Sequence, residues 1–135
     1  MPEFEIWIEY IDILQVNNRE LFTLVDSENK TEIIKFILNR GVKLLLETKG
    51  INGAAVYYKE NSKIKFDVLP AISLDIKNQV GLGDDFGAVF FYSYIKNRAA
   101  DKALKEAVTA GGCAAGYKNF DDFKNLKKDV LTRYN

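Results

Sequence analysis

The segment Asn78-Gln79-Val80-Gly81-Leu82-Gly83-Asp84-Asp85-Phe86 puts glycines just ahead of a carboxylate that opens an apolar helix. Small residues let backbone approach a ligand closely. The amino end of a helix leaves several N–H groups without an intrahelical acceptor and carries about half a positive charge. The amides around Gly81, Leu82 and Gly83 are therefore candidates to receive a phosphate. Asp84, at the mouth of the same turn, is placed to take a proton from a hydroxyl as its oxygen attacks that phosphoryl group. An ordinary alternative stands beside this reading, because a glycine turn before an Asp-capped helix also occurs in proteins that bind nothing.

The elements that would hold such a turn can be read along the chain. Tyr10 to Val16 (YIDILQV) suits a buried strand, and Asn17 and Asn18 after it suit the cap of a helix through Glu20, Leu21 and Leu24. Thr31 to Arg40 is apolar on a broad face, with Gly41 at the position of a left-handed cap. Val42 to Thr48 returns as a strand, so the pattern predicts a parallel crossover. Ala54 to Lys59 and Lys63 to Leu69, with Glu60, Asn61 and Ser62 between them, predict a hairpin, and Ile72 to Lys77 a further extended piece. Beyond it the chain reads as helical: Asp84 to Asn97, the alanine-rich Ala100 to Ala115, and a final helix with Phe123, Leu126, Val130 and Tyr134 on one face. Phe86, Phe90, Phe91 and Tyr94 are expected in the core, and Lys124, Lys127 and Lys128 on the wet face of the last helix. Trp7, Tyr57 and Tyr58 are aromatics suited to strand packing or to stacking on a sugar or base. The expected class is α/β with a mixed sheet.

Composition narrows the chemistry. The 135 residues are 47% apolar, enough to fill the core of one domain, and 19 basic side chains balance 19 acidic ones. That balance argues against nucleic acid or an anionic membrane as partner. There is no histidine and one cysteine, Cys113, which removes disulfides, thiolate zinc clusters and histidine triads. Cys113, among alanines and glycines, reads as a small buried thiol. No apolar run approaches the roughly 20 residues that span a bilayer, and the first ten residues carry acids where a signal peptide has cations. These features predict a soluble, cytoplasmic protein without a membrane partner.

Several separated pieces together resemble the ribokinase-type, or PfkB, family of carbohydrate kinases. Gly81-Leu82-Gly83-Asp84 is similar to the family's glycine turn and its aspartate, in the version found in ADP-dependent sugar kinases. Pro70-Ala71 stands at the family's spacing before that aspartate, and Asn17-Asn18-Arg19-Glu20 matches its Asn-x-x-Glu motif after a strand. Thr48-Lys49-Gly50 with Gly53 resembles its Thr-x-Gly turn, and Ala107 to Ala115 its small-residue helix beside the nucleotide base. The resemblance covers roughly residues 10–130 and implies the carboxyl-terminal half of a three-layer, ribokinase-like fold. In that fold a mixed, mostly parallel sheet is flanked by helices.

The resemblance further implies Asp84 as general base and Gly81, Leu82 and Gly83 as the anion hole. Thr48, Gly50, Val108 and Gly112 would border the nucleotide, ATP or ADP, and Asn17 and Glu20 would help to organise Mg2+ indirectly. Three departures are visible: Leu82 in place of a small residue, Asn78-Gln79-Val80 where the family has Asp-Thr-Thr, and the extra carboxylate of Asp85. Kinases of this type are much longer, and their acceptor-sugar site lies mainly in the amino-terminal half. The implied protein is a partial sugar kinase, either a homo-oligomer or paired with a separate amino-terminal half. A non-enzymatic nucleotide-binding or assembly module on the same fold is the alternative.

Overall fold

The computed structural model describes residues 2–72 and 81–134. Asn78, Gln79, Val80 and the expected extended piece after Ile72 lie outside the described residues. The chain divides into two compact units, Met1–Gly50 with Ala54–Val68, and Ile51–Gly53 with Leu69–Asn135.

The first unit is a sheet with helices. It begins with α1 (Pro2–Trp7) and a 3-10 turn at Ile8–Tyr10, followed by β1 (Ile13–Asn17), α2 (Asn18–Leu24) and α3 (Lys30–Asn39). Then come β2 (Leu44–Thr48), β3 (Ala54–Glu60) and β4 (Lys63–Leu69). Four strands lie in the order β1-β2-β3-β4. β1 and β2 are parallel, from Ile13 opposite Leu44 to Asn17 opposite Thr48, and β2 and β3 are antiparallel. The sheet is mixed, as expected, but among the described strands the β1–β2 ladder is its parallel part rather than one of a majority. Two-residue loops join only antiparallel neighbours, and Asn61 (φ 51°) and Ser62 (φ 63°) supply the two left-handed residues such a hairpin turn requires.

Local chemistry explains these boundaries. Asn29 accepts N–H groups of Thr31 and Glu32 and so starts α3, whose Ile33, Ile34, Ile37 and Leu38 are all buried. Gly41, at φ 114°, turns the chain away after it. Leu44 and Leu46 are as buried as Leu45 and Glu47 on the other face, which accounts for an apolar run without alternation. The expected strand start at Tyr10 is corrected by two residues of helical logic. Phe4 and Ile8, one helical turn apart, are buried in the core cluster, while Ile6, Trp7 and Tyr10 are exposed. The amino-terminal segment therefore winds, and the strand waits until Ile13. Trp7 accordingly lies in a helix. Arg40 ties this segment to the end of α3, its guanidinium 3.4 Å from the Glu5 carbonyl oxygen and over the Phe36 ring.

The second unit is helical: α4 (Leu82–Asn97), α5 (Ala100–Ala115), a 3-10 turn at Phe120–Asn125 and α6 (Leu126–Tyr134). Arg98, left-handed at φ 53°, donates its N–H to the Tyr94 carbonyl and ends α4 just before α5 packs back along it. Ala103, Ala107, Ala110 and Ala114 are buried, so α5 presents a small-residue face. Phe86 and Phe90 are buried and their rings stack at 6.4 Å, with Tyr94 6.1 Å beyond Phe90. Phe91 departs from the expected core stripe and is 53% exposed, since one residue along a helix turns the side chain about 100° off the buried line. Cys113 is buried, and burial pushes its thiol up. Lys124, Lys127 and Lys128 are exposed, as expected. Among the described residues no helix is long and apolar enough to cross a membrane.

Candidate functional site

In the first unit, the carboxyl ends of β1 and β2 bring four predicted residues, Asn17, Glu20, Thr48 and Gly50, to one edge. Asn17 and Thr48 are register partners as the last residues of the two parallel strands. Asn17 also caps α2: its Oδ1 accepts the Glu20 N–H at 2.8 Å, and Glu20 Oε2 accepts the Asn17 N–H at 2.8 Å. The Asn-x-x-Glu spacing is thus a reciprocal capping box. Gly50, exposed and left-handed at φ 56°, turns the chain just beyond Thr48. Ligands of parallel α/β sheets bind at this end of the strands.

The capping box bears on magnesium. One oxygen of each side chain is committed to backbone, and Glu20 retains its second carboxylate oxygen. Such a group fits the holding of a water of hydration better than direct coordination, and magnesium keeps several waters. Among the described residues no group of three or more His, Cys, Asp or Glu is placed to hold an ion by itself. An indirect role for Asn17 and Glu20 is compatible with this geometry.

Sequence reasoning missed Glu47, which lies at the same edge one residue before Thr48. Its side chain is fully buried, with Lys30 Nζ at 2.6 Å on Oε1, the Tyr57 hydroxyl donating to Oε2 at 2.9 Å, and Lys49 Nζ at 3.7 Å. Burial first, and then the bond to and charge of Glu47, push the Tyr57 hydroxyl well above the ordinary tyrosine range. The available signal was a single charge closing an otherwise aliphatic strand, Leu44-Leu45-Leu46-Glu47. Of the two roles open to Tyr57, packing and stacking, the buried ring takes packing, with its hydroxyl on Glu47; Tyr58 is half-buried and donates to Asp67 at 3.2 Å.

In the second unit, Gly81 caps α4 in a left-handed conformation, φ 77°, which suits glycine. Gly81, Gly83 and Asp84 are exposed, whereas Leu82 and Asp85 are half-buried. The Asp85 N–H reaches the Gly81 carbonyl at 2.9 Å and closes the first helical turn. Burial, and then the Asp84 charge, push the Asp85 carboxyl up, so the two adjacent acids have different environments. Val108 and Gly112, four residues apart and half-buried, share a face of α5. Gly53 packs closely on the Pro70-Ala71 pair: a Cβ there would lie 1.9 Å from the Leu69 carbonyl oxygen and 2.7 Å from the Ala71 nitrogen. Two segments singled out in the sequence are thereby in direct backbone contact.

Residues 1–125 match the pfkB family of carbohydrate kinases. The chain belongs to that family. A ribokinase of Arabidopsis thaliana is 25% identical over 129 residues, covering 92% of this chain and 34% of the relative. A cytidine kinase of Thermococcus kodakarensis is 26% identical over 98 residues, 73% of this chain and again 34% of the relative. The pfkB chain thus spans about a third of the length of the curated relatives it matches. An E. coli protein assigned as a ribokinase II, solved in complex with ATP and Mg2+, superposes with a TM-score of 0.80 at 18% identity, over 97% of this chain and 42% of that one. The ribokinase-like α/β fold is established by that superposition.

Proposed function

We propose that this chain forms a single domain, the carboxyl-terminal, nucleotide- and phosphate-handling half of a carbohydrate kinase. It transfers a phosphoryl group from ATP or ADP to an alcohol group of a sugar. The observation that carries the reading is the exposed, left-handed Gly81 turn opening the sixteen-residue α4 with Asp84 exposed in its first turn. An anion at that end meets the positive pole of the helix, and Asp84 stands beside it to accept the hydroxyl proton. In this reading Gly81, Leu82 and Gly83 receive the anion. Thr48, Gly50, Val108 and Gly112 border the nucleotide, and Asn17 and Glu20 steady the hydrated Mg2+, which would neutralise phosphate charge when bound.

The acceptor hydroxyl must also be held near Asp84, and positioning of that kind is worth roughly 7–11 kcal/mol of barrier. We assign it to the remainder of the kinase fold, supplied by further polypeptide or by a partner subunit, in a cytoplasmic assembly. A second reading, a nucleotide-binding module without turnover, is favoured by one observation: the charge of Asp85 adjoins Asp84 and opposes an arriving phosphate.

Calorimetric titration with ATP or ADP in the presence of Mg2+ separates these readings from a protein that binds nothing. Heat of binding at millimolar nucleotide is expected, and its absence removes both. In a preparation with kinase activity, Asp84→Ala is expected to lower kcat by about 10²–10⁴-fold with little change in nucleotide affinity. Unchanged turnover would remove the catalytic role.

A further inference from the structure

The buried carboxylate at the end of β2 leaves one of its two lysines undercompensated. Lys30 Nζ sits 2.6 Å from Glu47 Oε1, and the Tyr57 hydroxyl occupies Oε2 at 2.9 Å. Lys49 Nζ approaches Oε2 only to 3.7 Å, beyond hydrogen-bonding distance, although its side chain is 24% exposed. Two cations therefore share one anion, and the second, half-buried along its stem but with an ammonium that solvent still reaches, makes no hydrogen bond among the described residues. An ammonium that its own carboxylate holds only at 3.7 Å, and that solvent can reach, keeps its donors available to a further acceptor oxygen. Its position is specific: Lys49 lies between Thr48 and the left-handed Gly50, at the carboxyl edge where Asn17 and Thr48 end their strands.

We propose that Lys49 is a further binding residue of the donor site, its ammonium taking a phosphate oxygen of a nucleoside diphosphate or triphosphate. This rests on the reading that the Thr48–Gly50 turn borders the nucleotide. Glu47, already neutralised by Lys30 and bonded by Tyr57, holds the lysine stem at this edge without quenching its charge. The phosphate oxygen completes a charge-assisted contact that Glu47 leaves unmade.

The test compares ADP with Mg2+ against adenosine, each titrated by calorimetry or by competition, in the wild-type chain, Lys49→Met and Lys49→Arg. Lys49→Met is expected to weaken ADP about tenfold or more while leaving adenosine unchanged, because one charge-assisted bond to phosphate is lost. Lys49→Arg is expected to restore most of the ADP affinity. A purely structural lysine would weaken both ligands alike, and an irrelevant one would weaken neither; either result overturns the inference while leaving the donor site intact. A wild-type chain that binds neither ligand overturns the donor site and the inference together.

Discussion

A methyl group at Gly53 would fall 1.9 Å from the Leu69 carbonyl oxygen and 2.7 Å from the Pro70 carbonyl carbon, both backbone atoms that no side-chain rotation can move aside. Gly53 also holds φ 90°, a conformation that costs other residues about 1–3 kcal/mol on its own. Gly53→Ala is therefore expected to lower unfolding free energy by at least that amount, read as a fall in the urea midpoint. A midpoint unchanged from wild type would show that the close approach to Leu69 and Pro70 is absent in solution. Asp85 gives a pH-dependent counterpart. Its carboxyl is pushed up from 3.8 by burial and then by the Asp84 charge, despite the favourable helix pole nearby. The folded state thus prefers the protonated form. That preference stabilises fully below the ordinary carboxylate value and is lost as pH rises through the raised folded value. Asp85→Asn, which never ionises, is expected to raise the thermal midpoint at about pH 7 and to give no gain near about pH 3. A loss at neutral pH would mean that the helix pole outweighs repulsion and burial.

At the level of elements, α4 carries its stability on one line. Phe90 is fully buried between the rings of Phe86 and Tyr94, and Phe91 is 53% exposed. Phe90→Ala is expected to cost about 3–5 kcal/mol and Phe91→Ala about 0.5 kcal/mol, measured by chemical unfolding. Comparable losses at the two positions would place α4 in a different rotation. The sequence could not choose between them, because Phe86 to Ile95 is apolar almost all round and offers no polar face to phase the helix. Where local chemistry acts alone, elements were legible. Asn17 caps the helix that its spacing to Glu20 predicts, and the hairpin closes over Asn61 and Ser62, two residues tolerated in turns. The α1 helix was not legible, since Phe4 and Ile8 give only one apolar repeat in a short acidic segment.

Across the whole molecule, the ribokinase-like fold and the pfkB family could be read from motifs spread over residues 17–115 in one order, each weak alone. Of the candidate residues, the local geometry was legible at the Gly81 turn and at the Asn17–Glu20 capping box, each set within a few residues. Glu47 escaped because its burial depends on Lys30 and Tyr57, which only the folded sheet brings to it. The same sheet has a consequence in time. Its hairpin is closed by two residues whose backbone conformation suits the turn, so that β3 and β4 are expected to find register within about 1–10 μs. The β1–β2 ladder instead spans both α2 and α3 along the chain, and must await the docking of helices whose cores it shares. A complete chain refolding from denaturant would therefore close the hairpin first, and the edge carrying Asn17 and Thr48 would be among the last features to come into existence.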